Sequence, residues 1–250
     1  MKSQNLDVLS RIVDLDKIEA TKNSINEANG LPNECYLSDE YFKIEREKVF
    51  FNNWIVVGVS SSVPEVGDAK PFNLMGIPLL ILRDKNNKIR VFHNVCSHRG
   101  MILVKEECKL KNTIRCPYHS WSYNFNGELI ATPHVGGMNI HETEGFIKSK
   151  SNLKEISTHV WMDLIFINVN KNKKDFEESI DPLEKQWSKF ISKEDQKLIR
   201  HARDFGYFNM EVKSNWKLAI ENYCESYHLP WVHPELNRVS NLKDHYHIED

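Results

Sequence analysis

Cys96-Ser97-His98-Arg99-Gly100 and, further on, Cys116-Pro117-Tyr118-His119-Ser120-Trp121 are the stretches that decide how this 250-residue chain is read. Each carries one thiolate donor and one imidazole donor. If each loop gives its cysteine to one iron and its histidine to a second, Cys96 and Cys116 hold one side of a [2Fe–2S] cluster and His98 and His119 the other. A structural zinc site is the competing reading and comes second. Zinc sites usually group like with like, Cys-x₂₋₄-Cys and His-x₃₋₅-His, whereas here each loop mixes the two types.

Around these loops the sequence reads as short β-type runs, at 54–59, 79–83, 89–93, 113–115, 121–125 and 128–131. Turn signals separate them. Asp84-Lys85-Asn86-Asn87 is a hairpin loop, and Asn126-Gly127 predicts a two-residue hairpin. The spacing predicts a small antiparallel β domain over 45–160, with both donor loops at strand ends, where a rigid scaffold can aim them. Gly100 and Pro117 suit tight loop backbone, and Trp121 is equally readable as a shield for the centre or as a core aromatic. Residues 1–44 read as a polar helical arm with a loop at Gly30-Leu31-Pro32, and Ser38 is an acceptable cap for a short helix after it. Past residue 160 come a strand at 161–169, an amphipathic helix near 176–190 and β-type sequence at 206–212. A helix then carries Trp216, Ile220, Tyr223 and Tyr227 at helical spacing.

That last segment holds a second constellation, Asn222-x₂-Glu225-x₂-His228-x₄-His233. On a helix Glu225 and His228 would share a face, so the carboxylate could accept a hydrogen bond from the imidazole N–H that is not on a metal. Pro230 is expected to kink or stop the helix and let His233 swing back. Two histidines so placed leave positions on an octahedral metal for a carboxylate, water and dioxygen, the facial-triad logic of non-haem Fe(II) oxygenases.

The two loops resemble the Rieske motif of non-haem iron oxygenase α subunits, and the second constellation resembles the mononuclear-iron motif of the same family, at a fitting distance along the chain. Ser120 stands where members often have Gly. The resemblance implies an α+β fold: an N-terminal all-β Rieske [2Fe–2S] domain (45–160), then the first part of an antiparallel-sheet-plus-helix catalytic domain (161–250). It implies a [2Fe–2S] cluster on Cys96, His98, Cys116 and His119, and a mononuclear Fe(II) on His228 and His233. It also implies electrons from an NAD(P)H-dependent reductase or ferredoxin, O₂ as oxidant, and a small organic substrate, aromatic or quaternary ammonium, that is hydroxylated or demethylated. Family members form homotrimers in which an acidic residue, here Glu225, links an iron histidine (His228) to the neighbouring subunit's cluster histidine (His119). The family's third iron ligand is a downstream aspartate, and this chain stops 17 residues after His233. Asp244, Glu249 and Asp250 lie too early to match it, so the expectation is a fragment lacking that aspartate and much of the catalytic domain. Substitution by a terminal carboxylate such as Asp250 is the lesser alternative.

Trp216, Tyr223, Tyr227 and Trp231 are candidates for an aromatic cage around a cation, although such a stripe is more often core. His93, His134, His141, His159, His201, His245 and His247 have no spacing that singles them out, and Cys224 reads as packing.

The composition is compatible with this reading. With 40% hydrophobic residues the chain can bury an ordinary core, and a net charge of -2 excludes a basic surface for nucleic acid. Cys35, Cys108 and Cys224 form no evident disulfide framework. Asp7, Arg11, Asp14 and Asp16 interrupt the N-terminus, and no uncharged run is long enough for a membrane span. A cytoplasmic protein with no nucleic-acid or membrane partner is expected. A stand-alone Rieske electron carrier is the alternative function and leaves Glu225, His228 and His233 unexplained; a zinc-bound binding module, which needs neither iron nor reductase, is a third.

Overall fold

The computed structural model describes residues 8–24, 26–170, 174–202 and 210–246. They fall into two compact units, Glu45–Tyr207 on the one hand and Met1–Ile44 with Phe208–Asp250 on the other. The strand expected at 206–212 lies outside the described residues up to 209, and 210–212 are irregular. Glu249 and Asp250 also lie outside them.

The larger unit is built on β1 (Ile55–Val59), β2 (Asp68–Leu74), β3 (Ile77–Arg83), β4 (Ile89–His93), β5 (Cys108–Lys109), β6 (Ile114–Arg115), β7 (Ser122–Tyr123), β8 (Leu129–Ala131), β9 (Glu155–Trp161) and β10 (Leu164–Asn168). Seven strands form one sheet in the order β1-β10-β9-β4-β3-β2-β5, and β6-β7-β8 form a second. Of these, β2, β5 and β9 lack a clear alternating pattern and had no counterpart among the expected strands. The expected 161–169 strand is divided, because Met162 and Asp163 turn the chain with φ of 49° and 66° between β9 and β10. The large sheet therefore continues through Asn168, past residue 160.

β3 explains the architecture. Leu79, Leu80, Ile81 and Leu82 are all at most 1% exposed, so this strand is covered on both faces and reads as a continuous apolar run rather than an alternation. Leu80 and Leu82 join Phe92, Ile114, Tyr123 and Phe125 in one core. Leu79 and Ile81 join Val91, Ile165 and Ile167 in another. Each such side chain contributes about 1.5–3 kcal/mol relative to exposure.

Two hairpin loops frame the sheet with the same device. Asp84 N donates to Lys88 O at 2.9 Å and Asn124 N to Glu128 O at 2.9 Å. The left-handed residue is Asn87 (φ 62°) in one and Gly127 (φ 81°) in the other. The side chain of Asp84 accepts from the Asn86 and Lys88 amides, and that of Asn124 from the Asn126 and Glu128 amides. The hairpin expected at Asn126-Gly127 thus exists, but as a three-residue loop of residues 125–127. Asn124 captures two amides, and a Cβ on Gly127 would meet Phe92 at 2.6 Å, which fixes where the left-handed residue can sit.

In the smaller unit the expected cap is formed: Tyr41 N donates to Ser38 Oγ at 3.2 Å, opening the helix Asp39–Glu45. The helix Trp216–Cys224 is capped by Asn215. Among the described residues no helix is long and apolar enough to cross a membrane.

Candidate metal centres

The two donor loops share one backbone frame. Cys96 N donates to Met101 O at 2.8 Å and Gly100 N to Cys96 O at 2.9 Å; in the second loop Cys116 N donates to Trp121 O at 2.8 Å and Ser120 N to Cys116 O at 3.1 Å. The fourth residue after each cysteine is left-handed, Gly100 at φ 70° and Ser120 at φ 59°. This explains why glycine is the expected residue at 120: Ser120 pays for its Cβ in backbone strain, offset in part by Arg115 Nη2, which donates to its Oγ at 2.8 Å.

The frame brings the four donors together. Cys96 and Cys116 are both 2% exposed, both free, and close enough for Cys116 to act on the Cys96 thiol. The imidazoles of His98 and His119 lie with centroids 4.8 Å apart. His119 Nδ1 is buried and has no hydrogen-bond partner, a state that costs about 1–3 kcal/mol for an ordinary polar atom and suits a nitrogen that takes a metal. Burial, followed by the nearby His119 and Arg99, pushes His98 below the ordinary imidazole range. Burial pushes the Cys96 thiol up.

Trp121 fills both roles weighed for it. It is 5% exposed, and its ring stacks on His98 at 4.6 Å with an 11° interplanar angle. Tyr118 lies against His119 at 3.8 Å. Tyr123 had not been singled out. It is fully buried, and its hydroxyl lies 3.2 Å from Cys96 Sγ and 2.9 Å from Ser97 Oγ. Within an alternating β-run it looks like any inward aromatic, and only the fold carries its hydroxyl to the first loop.

The second constellation is arranged differently from the helical expectation. The helix ends at Cys224, and Glu225 is extended at φ -125°, ψ 150°. Pro230 does not kink a continuing helix: it occupies the first turn of a new one, Leu229–Val232, where its missing N–H would have no partner in any case. The Glu225 carboxylate nevertheless meets His228 as expected, accepting from Nδ1 and from the backbone N–H at 3.3 Å. His233 ends that short turn and begins the helix Pro234–Val239, and its ring centroid is 5.4 Å from that of His228. With Nδ1 committed to Glu225, Nε2 is the nitrogen that His228 can offer a metal. Glu225, His228 and His233 line a cleft of about 430 Å³ with Ser240, His245 and Tyr246. A larger cleft of about 670 Å³, lined by Arg83, Trp161 and Asp163, holds none of the candidate donors.

The proposed cage aromatics do not gather. Tyr223, Tyr227 and Trp231 are 91%, 72% and 86% exposed. Trp216 instead flanks the ammonium of Lys217 at 5.2 Å, together with Tyr36 at 5.3 Å.

Among the described residues no three His, Cys, Asp or Glu side chains gather around one point that could hold an ion. The first centre meets this condition without difficulty, since a cluster of two irons needs only a pair of protein donors on each. The second presents two histidines, and among the described residues no third donor completes a set with them.

Comparison with known proteins assigns families to two stretches of the chain. Residues 53–144 match the Rieske [2Fe-2S] domain, and residues 199–250 match the ring hydroxylating alpha subunit (catalytic domain). The carnitine monooxygenase oxygenase subunit of Escherichia coli K12 is 30% identical over 88% of this chain and 56% of its own length. The glycine betaine monooxygenase oxygenase subunit of Pseudomonas aeruginosa is 28% identical over 82% of this chain and 45% of its own. The chain thus spans about half the length of the curated relatives it matches. Among solved structures, the quaternary ammonium Rieske monooxygenase CntA with L-carnitine superposes with a TM-score of 0.69, at 28% identity over 80% of this chain and 54% of that one. Naphthalene 1,2-dioxygenase from Rhodococcus sp. shares the fold, with a TM-score of 0.72 at 22% identity over 92% of this chain and 52% of that one. The chain thus carries a Rieske [2Fe–2S] domain followed by a match to the ring hydroxylating alpha catalytic domain, the order found in Rieske non-haem iron oxygenase α subunits, which use a [2Fe–2S] cluster and a mononuclear non-haem iron.

Proposed function

We propose that the chain works as the oxygenase component of a Rieske system, hydroxylating or demethylating a small organic substrate. When bound, the cluster supplies electrons one at a time, and the mononuclear Fe(II) supplies the site at which O₂ is activated. Cys96 and Cys116 hold one iron of the cluster and His98 and His119 the other, within a Rieske domain that begins at residue 45 and takes in the sheet through Asn168 rather than stopping at 160. His228 and His233 hold the mononuclear iron, in the stretch that matches the catalytic domain, 199–250. The observation that carries this reading is the shared frame of the two loops, which ends in four converging donors and an unpartnered buried nitrogen on His119.

Glu225 orients His228 by accepting a hydrogen bond from its Nδ1–H, and in a homotrimer the same carboxylate reaches His119 of a neighbouring copy. A reductase or ferredoxin is the electron source. The relatives named for carnitine and glycine betaine favour a quaternary ammonium substrate over an aromatic one. A stand-alone electron carrier is disfavoured, because it has no use for the match over 199–250 or for the Glu225–His228 contact.

Metal analysis with EPR of the reduced protein tests the assignment. The expected result is iron with the spectrum of a mixed Cys/His two-iron cluster, plus Fe(II) binding that His228→Ala removes without touching the cluster. Zinc with a silent spectrum would overturn it.

A further inference from the structure

Residues 132–146 form a hairpin next to the cluster loops, held by an arrangement of histidines that the redox site does not use. Asn139 N donates to His134 Nδ1 at 2.8 Å, and His134 N donates to His141 Nδ1 at 3.1 Å. The two rings meet edge to face with centroids 5.1 Å apart. Thr132 Oγ1 ties the far side down by donating to His141 O at 3.0 Å. An imidazole nitrogen can accept an amide proton only when it carries none itself, so both bonds require neutral rings with the proton on Nε2.

The backbone they hold is strained. His134 and Asn139 are left-handed at φ 60° and 59°, and Gly137 lies at φ 126°. Such residues cost of order 1 kcal/mol each and persist only while their surroundings hold them. The charged groups of the same loop are Glu142, which pairs with Lys148 at 3.1 Å, and Glu144; the strand end that packs on the loop contributes the uncharged Thr132. Both histidines are exposed, so protons reach them freely.

The hairpin also touches the centre. Val135 and Phe146 pack on the core that contains Cys96 and Cys116. Phe146 meets Trp121 edge-on at 5.6 Å, and Trp121 stacks on His98.

We propose that residues 132–146 are a histidine-latched flap over the cluster loops, shut while His134 and His141 are neutral and released when both take a proton. Protonation turns each Nδ1 acceptor into a donor facing an amide N–H, so the closed form excludes the charged rings. The closed form therefore gives way as the pH falls and the rings take protons. Release frees Phe146 from Trp121, the ring that stacks on His98. This rests on the geometry of the flap, and its test does not require turnover.

Hydrogen–deuterium exchange on the full chain with its cluster, corrected for the intrinsic pH dependence of exchange, reads the flap directly. The amides of His134 and Asn139 should lose protection by one to two orders of magnitude from pH 8 to pH 5.5, while β3 and β4 keep theirs. The H134N/H141N variant places a non-titrating Oδ1 where each Nδ1 was, and its flap should stay protected at both pH values. Unchanged protection in the wild-type chain overturns the proposal, and so does a pH-dependent loss that survives in the double variant. If that variant does not assemble, the wild-type profile alone decides, because a flap that does not depend on neutral imidazoles keeps its protection at both pH values.

Discussion

The Glu225 carboxylate accepts a hydrogen bond from His228 Nδ1 in the same chain, across a break between two helices rather than along one helix face. The contact fixes the imidazole tautomer and leaves Nε2 for a metal. A carboxylate in this position usually changes metal affinity or activity by about 10–100-fold. Glu225→Ala in a full-length protein should therefore keep the visible spectrum of the cluster, weaken Fe(II) binding by that factor and stop electron transfer to the iron. Stopped-flow reoxidation of the reduced cluster measures this, and normal turnover in the variant would remove Glu225 from the pathway.

The fully buried Tyr123 hydroxyl lies 3.2 Å from Cys96 Sγ, where it can donate to the sulfur once the cysteine is a thiolate. Hydrogen bonds to the sulfurs raise a cluster's reduction potential by stabilising its more negative state. Tyr123→Phe should lower the midpoint by about 40 mV, the equivalent of one hydrogen bond of about 1 kcal/mol in a one-electron couple. Protein-film voltammetry gives the number, and an unchanged midpoint would reduce the contact to packing.

Ser120 and Gly100 occupy equivalent left-handed positions, and only one of them has a Cβ. Ser120→Gly should stabilise the fold by about 0.5 kcal/mol, the relief of strain being partly offset by the greater freedom of glycine in the unfolded chain. Gly127→Ala should cost about 2 kcal/mol, because it adds an overlap with Phe92 to the same backbone strain. Urea midpoints of the two variants should move in opposite directions.

Asp84 is a buried carboxylate whose burial alone would raise its pKa, yet hydrogen bonds from Arg90 and from the Lys88 and Asn86 amides outweigh burial and hold it below its ordinary value of 3.8. A carboxyl with a depressed pKa in the folded state adds stability that is fully present above the unfolded value and lost as pH falls through the folded one. Denaturant melts should therefore show stability falling below about pH 3.8. Asp84→Asn should flatten that slope and cost about 2–3 kcal/mol at neutral pH by leaving Arg90 with Glu155 alone. A wild-type slope retained in the variant would assign it to another carboxylate.

Much of this was legible in the residues themselves. The donor types and their spacing are covalent facts, and so are the turn residues at 84–87 and 126–127 and the apolar run of β3, since each depends on neighbours in sequence. The helical reading of 222–233 failed because three-residue spacing fits a helix face and also a capped break, and the local pattern does not distinguish them. β2 and β9 escaped because each has a single fully buried position among its seven residues, which imposes no alternation on the sequence.

The sequence by itself determined which atoms could hold metal: two thiolates and two imidazoles in paired loops, and a further histidine pair beside a carboxylate. The tertiary structure decided which of them meet and in what state. The matched loop frames depend on amides bonding carbonyls at the far side of each turn, Tyr123 reaches Cys96 only because β7 pairs with β6 beneath the loops, and His119 Nδ1 is left without a partner only because the core closes over it. Those are relations between residues far apart in the chain, and packing fixes them.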